Sequence, residues 1–161
     1  MRYTSSMAEA LNLLRDAAGQ APGLVSVLGP PGPGLIEAAQ ERLGPRFPDA
    51  YRGFLEAFGA VEVGTRSIYG VGSSIDTVDG LNVVWHTVNA RESRGLASSE
   101  LVLSSWDDLT LEIARVRDSS GQCIDGPVRE LLVEGTGETL GASFDEWLAL
   151  TIREAVEDAG R

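Results

Sequence analysis

The sequence predicts an α+β fold, a mostly antiparallel sheet with N-terminal helices and a closing C-terminal helix packed against it. Three observations carry this. Apolar residues recur at helical spacing up to Phe58, short β-branched or alternating runs fill the middle, and helical spacing returns after Ser143. The chain has 161 residues, 43% of them hydrophobic, which suits one domain with its own core.

The elements follow in order. Ser6, Met7, Ala8 and Glu9 form a capping box, and Met7, Leu11, Leu14 and Ala18 then repeat at helical spacing until Gly19. Gly19 to Gly34 is rich in Pro and Gly and reads as a loop or linker around the apolar run Leu24 to Leu28. A helix from Leu35 to Leu43 stops at Gly44-Pro45. Pro48 opens the next, with Tyr51, Phe54, Leu55 and Phe58 inward, and Gly59 ends it. Val61 to Val63 and Ile68-Tyr69 read as strands across Gly64-Thr65-Arg66. Leu81 to Arg91 reads as a helix with Val84, Trp85 and Val88 inward.

Leu101 to Leu103, Leu109 to Val116 and Val128 to Val133 read as strands. Leu109, Leu111 and Ile113 alternate with Thr110, Glu112 and Ala114, so the second set is expected to face solvent. Ser143-Phe144-Asp145-Glu146 is a second capping box. Phe144, Trp147, Leu148, Thr151, Ile152 and Ala155 follow at helical spacing, and Trp147 is expected to be buried.

Charge narrows the function. The net charge is −11, and all 13 bases are arginines. Arginine without lysine matches the codon bias of a GC-rich genome, and a bacterial source is expected. Fourteen acids and five bases lie from Glu100 onward. Nucleic acid would be repelled, whereas a basic protein would be steered in. No leader-like apolar run follows the first residues and no stretch is long enough to span a bilayer, so a cytoplasmic location and no membrane partner are expected.

Specific chemistries are disfavoured. Gly29-Pro30-Pro31-Gly32-Pro33-Gly34 imitates a phosphate-binding loop, but Leu35 and Ile36 stand where Lys and Ser or Thr are needed. Gly70-Val71-Gly72 lacks the rest of a dinucleotide fingerprint. His86 and Cys123 are too few for a transition-metal site. A weak carboxylate-only site stays open at Asp76 with Asp79, or Asp118 with Asp125. No nucleophile elbow is present. Neither catalysis nor a cofactor is expected.

Ile36 to Gly44, followed by Phe47-Pro48-Asp49-Ala50-Tyr51-Arg52-Gly53-Phe54-Leu55-Glu56-Ala57-Phe58-Gly59, resembles the opening signature of the SUKH superfamily. That group includes bacterial toxin-immunity proteins and the fungal cell-wall-assembly regulator. Ile68-Tyr69-Gly70-Val71, Leu101-Val102-Leu103 and Ser143-Phe144-Asp145-Glu146-Trp147-Leu148 are similar to later family segments, in the same order. Glu112 stands where the family has the Asp of a Leu-Asp-Leu strand. The resemblance spans 35–150, after an N-terminal helix and linker at 1–34, within a single domain at 1–161.

The resemblance implies an immunity protein that binds and neutralises a toxin, often a nuclease. The alternative is a regulatory adaptor with a housekeeping partner. The expected partner is a protein with a basic surface. Asp107, Asp108 and Glu112 are the leading contacts, Trp106 is an aromatic anchor, and Asp76 and Asp79 extend the patch if their loop folds nearby. A solvated acidic face is the competing reading.

Overall fold

The computed structural model describes residues 5–78, 80–107 and 109–160, and within them the chain forms five helices and two antiparallel sheets. The helices are α1 (Ser5–Gln20), α2 (Leu35–Leu43), α3 (Asp49–Phe58), α4 (Val83–Arg94) and α5 (Phe144–Ala159). The first sheet has the order β1 (Val25–Val27), β2 (Val61–Val63), β3 (Arg66–Ile68). The second is a meander of β4 (Glu100–Ser105), β5 (Leu111–Arg115), β6 (Val128–Leu132) and β7 (Gly135–Gly141). The α+β class and the closing helix are as the sequence predicts.

Helix ends form where local chemistry allows. Ser143 caps α5 by accepting from the Glu146 N–H, and Glu146 reaches back to the Ala142 N–H, so two orphan donors are satisfied. Asn82 caps α4 by accepting from the Val84 N–H at 3.0 Å, and its amide donates to the carbonyls of Ile75 and Thr77. This cap moves the helix two residues past its expected start at Leu81. The N-terminal capping box at Ser6 involves side chains that lie outside the described residues.

One core joins the layers. Leu11 and Leu14 of α1, Tyr51, Phe54 and Leu55 of α3, and Trp147, Leu148 and Ile152 of α5 are buried together with Val61, Ile68, Leu101 and Ile113 of the strands. Trp147 is 1% exposed. The Phe144 ring packs on Tyr51 and Phe54 with centroids 5.0 and 5.7 Å apart. The Tyr51 hydroxyl donates to the Tyr69 carbonyl at 2.8 Å, so this buried polar group is satisfied.

The two sheets meet at β3 and β4. The Tyr69 N–H donates to the Leu103 carbonyl at 2.8 Å, and the Ser104 hydroxyl donates to the Ser67 carbonyl at 2.5 Å. Leu103 is an extra residue between the pairs Val102↔Ile113 and Ser104↔Glu112. A bulge of this kind re-aims the strand end, here the stretch leading to Trp106.

Two sequence expectations are corrected, and one strand carries no sequence signal. The stretch from Gly19 to Gly34 is not all loop: Val25–Val27 is a strand, paired Val25↔Val63 and Val27↔Val61. The Glu112 and Ala114 face of β5 is buried, and Trp147 of α5 reaches Glu112 there through its indole N–H. β7 escapes sequence pattern, since Gly-Thr-Gly-Glu-Thr-Leu-Gly has little strand propensity and pairs only at the sheet edge.

The Pro/Gly segment is stitched to the core by backbone. The Gly29 N–H donates to the Phe58 carbonyl and the Val71 N–H to the Gly59 carbonyl. A Cβ on Gly70 would lie 1.7 Å from the Gly59 oxygen, which no rotamer can relieve. Gly70→Ala is therefore expected to destabilise by about 3 kcal/mol or more, while Gly19→Ala, with open space around it, should change little. Urea unfolding of both variants checks this, and equal midpoints would refute the close approach.

Candidate functional site

A strand face that carries Arg66 beside Ile68 must bring a charge into the core or pair it. Here it is paired. Arg66 Nη2 donates to Glu112 Oε2 at 2.5 Å, with the two side chains 7% and 3% exposed. The Trp147 indole N–H donates to the other Glu112 oxygen at 2.8 Å. Both carboxylate oxygens are thereby engaged. Arg66 Nε and Nη1 are also buried and have no acceptor among the described residues.

Arg66 carries the surface feature above it. Its guanidinium lies 4.0 Å from the centroid of the Trp106 ring, a cation–π contact. Trp106 is nonetheless 56% exposed. The hairpin that presents it is braced at every turn. The Trp106 N–H donates to the Thr110 carbonyl at 3.0 Å. Asp107 Oδ1 accepts from the N–H groups of Leu109 and Thr110, each at 2.8 Å. Arg94, in the last turn of α4, donates to the Leu109 carbonyl at 2.7 Å and to the Leu131 carbonyl.

The bracing supports an apolar tip. Leu109 is 60% exposed and Val133 is 62% exposed. Leu111 pairs with Leu131, so the β4–β5 and β6–β7 hairpins turn at the same end of the meander and Leu109 and Val133 flank the same register. Trp106, Leu109 and Val133 are exposed apolar residues at this end of the meander, and Asp107 and Glu134 are exposed there too. An exposed aromatic is a feature that a protein partner can use.

The expected contacts divide accordingly. Trp106 and Asp107 sit together on the hairpin. Glu112 does not reach the surface and acts beneath it, holding Arg66. Asp76 lies on the loop between β3 and α4, where it pairs with Arg42 of α2 at 3.2 Å. Asp79 and Asp108 lie outside the described residues. Arg66 follows Gly64 and Thr65, so local pattern places it in the turn after Val63. Its position two residues before Ile68, on the same strand face, was the available signal.

Other polar groups have structural partners. His86 Nε2 bonds the Gly80 carbonyl at 2.8 Å, and the ring stacks on Tyr69 at 3.8 Å. Asp118 accepts from the Ser120 hydroxyl and from the Ser120 and Gln122 amides, which lowers its carboxyl pKa. Asp125 Oδ1 accepts from the Phe144 N–H at 2.9 Å. Desolvation raises the Asp125 pKa, the Phe144 N–H opposes this, and the nearby Asp145 adds to it. Among the described residues, no group of three or more His, Cys, Asp or Glu is placed to hold a metal ion, and no helix is long and apolar enough to cross a membrane.

Residues 7–152 match a family model described as SMI1-KNR4 cell-wall. No curated protein matches the chain.

Two outcomes follow from the buried charges. Glu112→Gln strands the Arg66 charge and is expected to cost about 3–5 kcal/mol, whereas Arg66→Met with Glu112→Leu should cost much less. Denaturant midpoints of the single and double variants decide; a double variant as weak as the single removes the uncompensated-charge account. Asp125→Asn keeps an acceptor for Phe144 and removes the desolvated charge. A carboxyl whose pKa folding raises opposes folding while ionised, and that opposition fades as pH falls through the raised pKa toward the ordinary one. The variant should therefore be more stable than the parent at neutral pH and lose that advantage in acid. Thermal unfolding across the acid range would show the reverse trend if Asp125 were a stabilising anion.

Proposed function

This chain belongs to the SMI1-KNR4 cell-wall family of the SUKH superfamily, and on that premise we propose that it is an immunity protein that neutralises a toxin by binding it. The superfamily includes immunity proteins and cell-wall regulators. The observation that carries the proposal is Trp106, more than half exposed yet pinned to the buried Arg66 on a braced hairpin. An aromatic already seated on a buried cation has less freedom to lose when a partner covers it. That lowers the ordering cost of association.

Charge supports the partner's chemistry. The net charge of −11 favours a toxin domain with a basic surface, such as a nuclease whose own substrate is a polyanion. The chain would act stoichiometrically, by covering that surface, and needs no cofactor. A regulatory adaptor is the second reading, favoured by the cell-wall description of the family model. Coexpression with a toxin encoded beside this gene separates the two. Restored growth supports immunity, and unrelieved toxicity with a folded chain refutes it.

The hairpin has its own test against such a toxin. Asp107→Asn keeps the Oδ1 acceptor that closes the turn and removes only the charge. It should slow association at low salt, with the difference shrinking as salt rises. Trp106→Ala should instead speed dissociation, by a factor equivalent to about 2 kcal/mol. Stopped-flow and surface-binding kinetics measure both. Unchanged rates in variants with normal unfolding would remove this hairpin from the account.

A further inference from the structure

We propose that the arginines gathered at the end of α2, Arg46, Arg91, Arg115 and Arg117, dock an acidic segment of a protein. This goes beyond the toxin-binding reading and uses the other end of β5. Leu111 opens that strand beside the Trp106 hairpin, and Arg115 closes it.

Contacts place these side chains together. Arg91 Nη1 donates to the Leu43 carbonyl at 2.6 Å. A Cβ on the next residue, Gly44, would lie 3.7 Å from Arg117 Nη2. Two guanidinium groups therefore converge on the end of α2. Arg46 follows closely in the chain, and its carbonyl accepts from the Cys123 thiol at 3.5 Å. Cys123 is bridged in turn to Arg117, whose carbonyl accepts from Arg115 Nε at 3.2 Å.

The charges lack counterions. Arg42, Arg52, Arg66, Arg129 and Arg153 each pair with a carboxylate. Among the described residues, no carboxylate pairs with Arg46, Arg91, Arg115 or Arg117, and Arg91 Nε is buried without an acceptor. Burial lowers the Arg91 pKa, and the charge of Arg117 lowers it further. The acids nearby are committed to backbone N–H groups. Asp118 Oδ1 accepts from the Ser120 and Gln122 amides, and Asp125 Oδ1 from Phe144. Asp49 lies in the first turn of α3, where the helix dipole favours an acid. The dipole of α2 accounts for a cation beside Leu43, but not for the exposed Arg46 and Arg115.

Guanidinium groups spread along a surface suit several carboxylates on one peptide, each held by charge-assisted hydrogen bonds. The net charge of −11 selects against a longer polyanion. Screening confines each charge to about 8 Å at physiological ionic strength, so a short acidic segment senses mainly the arginines. A nucleic acid would extend past them over a surface of its own sign.

The test uses the full chain and glycine–serine peptides that carry a run of glutamates or of glutamines. Titrations are followed by the Gly44, Arg46 and Cys123 amides in NMR spectra. The glutamate peptide should shift these saturably, more weakly as salt rises, and the glutamine peptide should not. Arg46→Gln with Arg117→Gln should weaken binding by about tenfold. Neither side chain has a hydrogen-bond partner among the described residues, so this variant should unfold at the parent's midpoint. Arg15→Gln, an exposed arginine on α1, should bind as the parent does. Equal responses to the two peptides overturn the assignment, as does unchanged affinity in the double variant. Tighter binding of a single-stranded oligonucleotide at the same amides would also overturn it, in favour of nucleic acid. If the glutamate peptide fails while hairpin variants still alter toxin kinetics, this proposal falls and the toxin-binding reading stands.

Discussion

Arg66 of β3, Glu112 of β5 and Trp147 of α5 meet in a chain of buried polar contacts that links both sheets to the closing helix. A buried ion pair of this kind adds little net stability over apolar residues of equal volume, because desolvation offsets the attraction. Its effect is directional. Either charge buried alone would be costly, so arrangements that separate the two are disfavoured. The same pair sets the floor on which Trp106 rests.

Backbone contacts complete what the ion pair begins. The Gly59 carbonyl approaches Gly70 so closely that no side chain fits between, and Gly29 docks against the end of α3. These contacts tie β1, α3 and the start of the loop after β3 into one unit. The bulge at Leu103 then turns the end of β4, and Arg94 ties the hairpin tip to α4. Presentation of Trp106 is thus continuous with the core.

The arrangement separates two uses of acidic residues. Glu112, Glu100 and Asp145 are buried and serve the fold, Glu100 through Arg129 at 2.7 Å. Asp107 both closes its turn and remains at the surface, so its charge and its hydrogen bonds can be separated by amide substitution.

Much of the architecture follows from sequence alone. Helical spacing in Tyr51, Phe54, Leu55 and in Phe144, Trp147, Leu148 determined two helices and their buried faces, because amphipathic period depends only on local order. Gly44, Gly59 and Ser143 marked helix ends for the same reason. The short strand at Val25–Val27 and the glycine-rich β7 were decided by their pairing partners, which lie far away in the chain. Trp106 and Asp107 were legible as a candidate contact, since an aromatic beside acids in a turn is a local pattern. That Glu112 turns inward, that Arg66 meets it across 46 positions of sequence, and that Trp106 lies on that guanidinium, only the tertiary structure could decide. Charge pairing in a core depends on which faces the sheets and α5 present to one another, and no local periodicity encodes that.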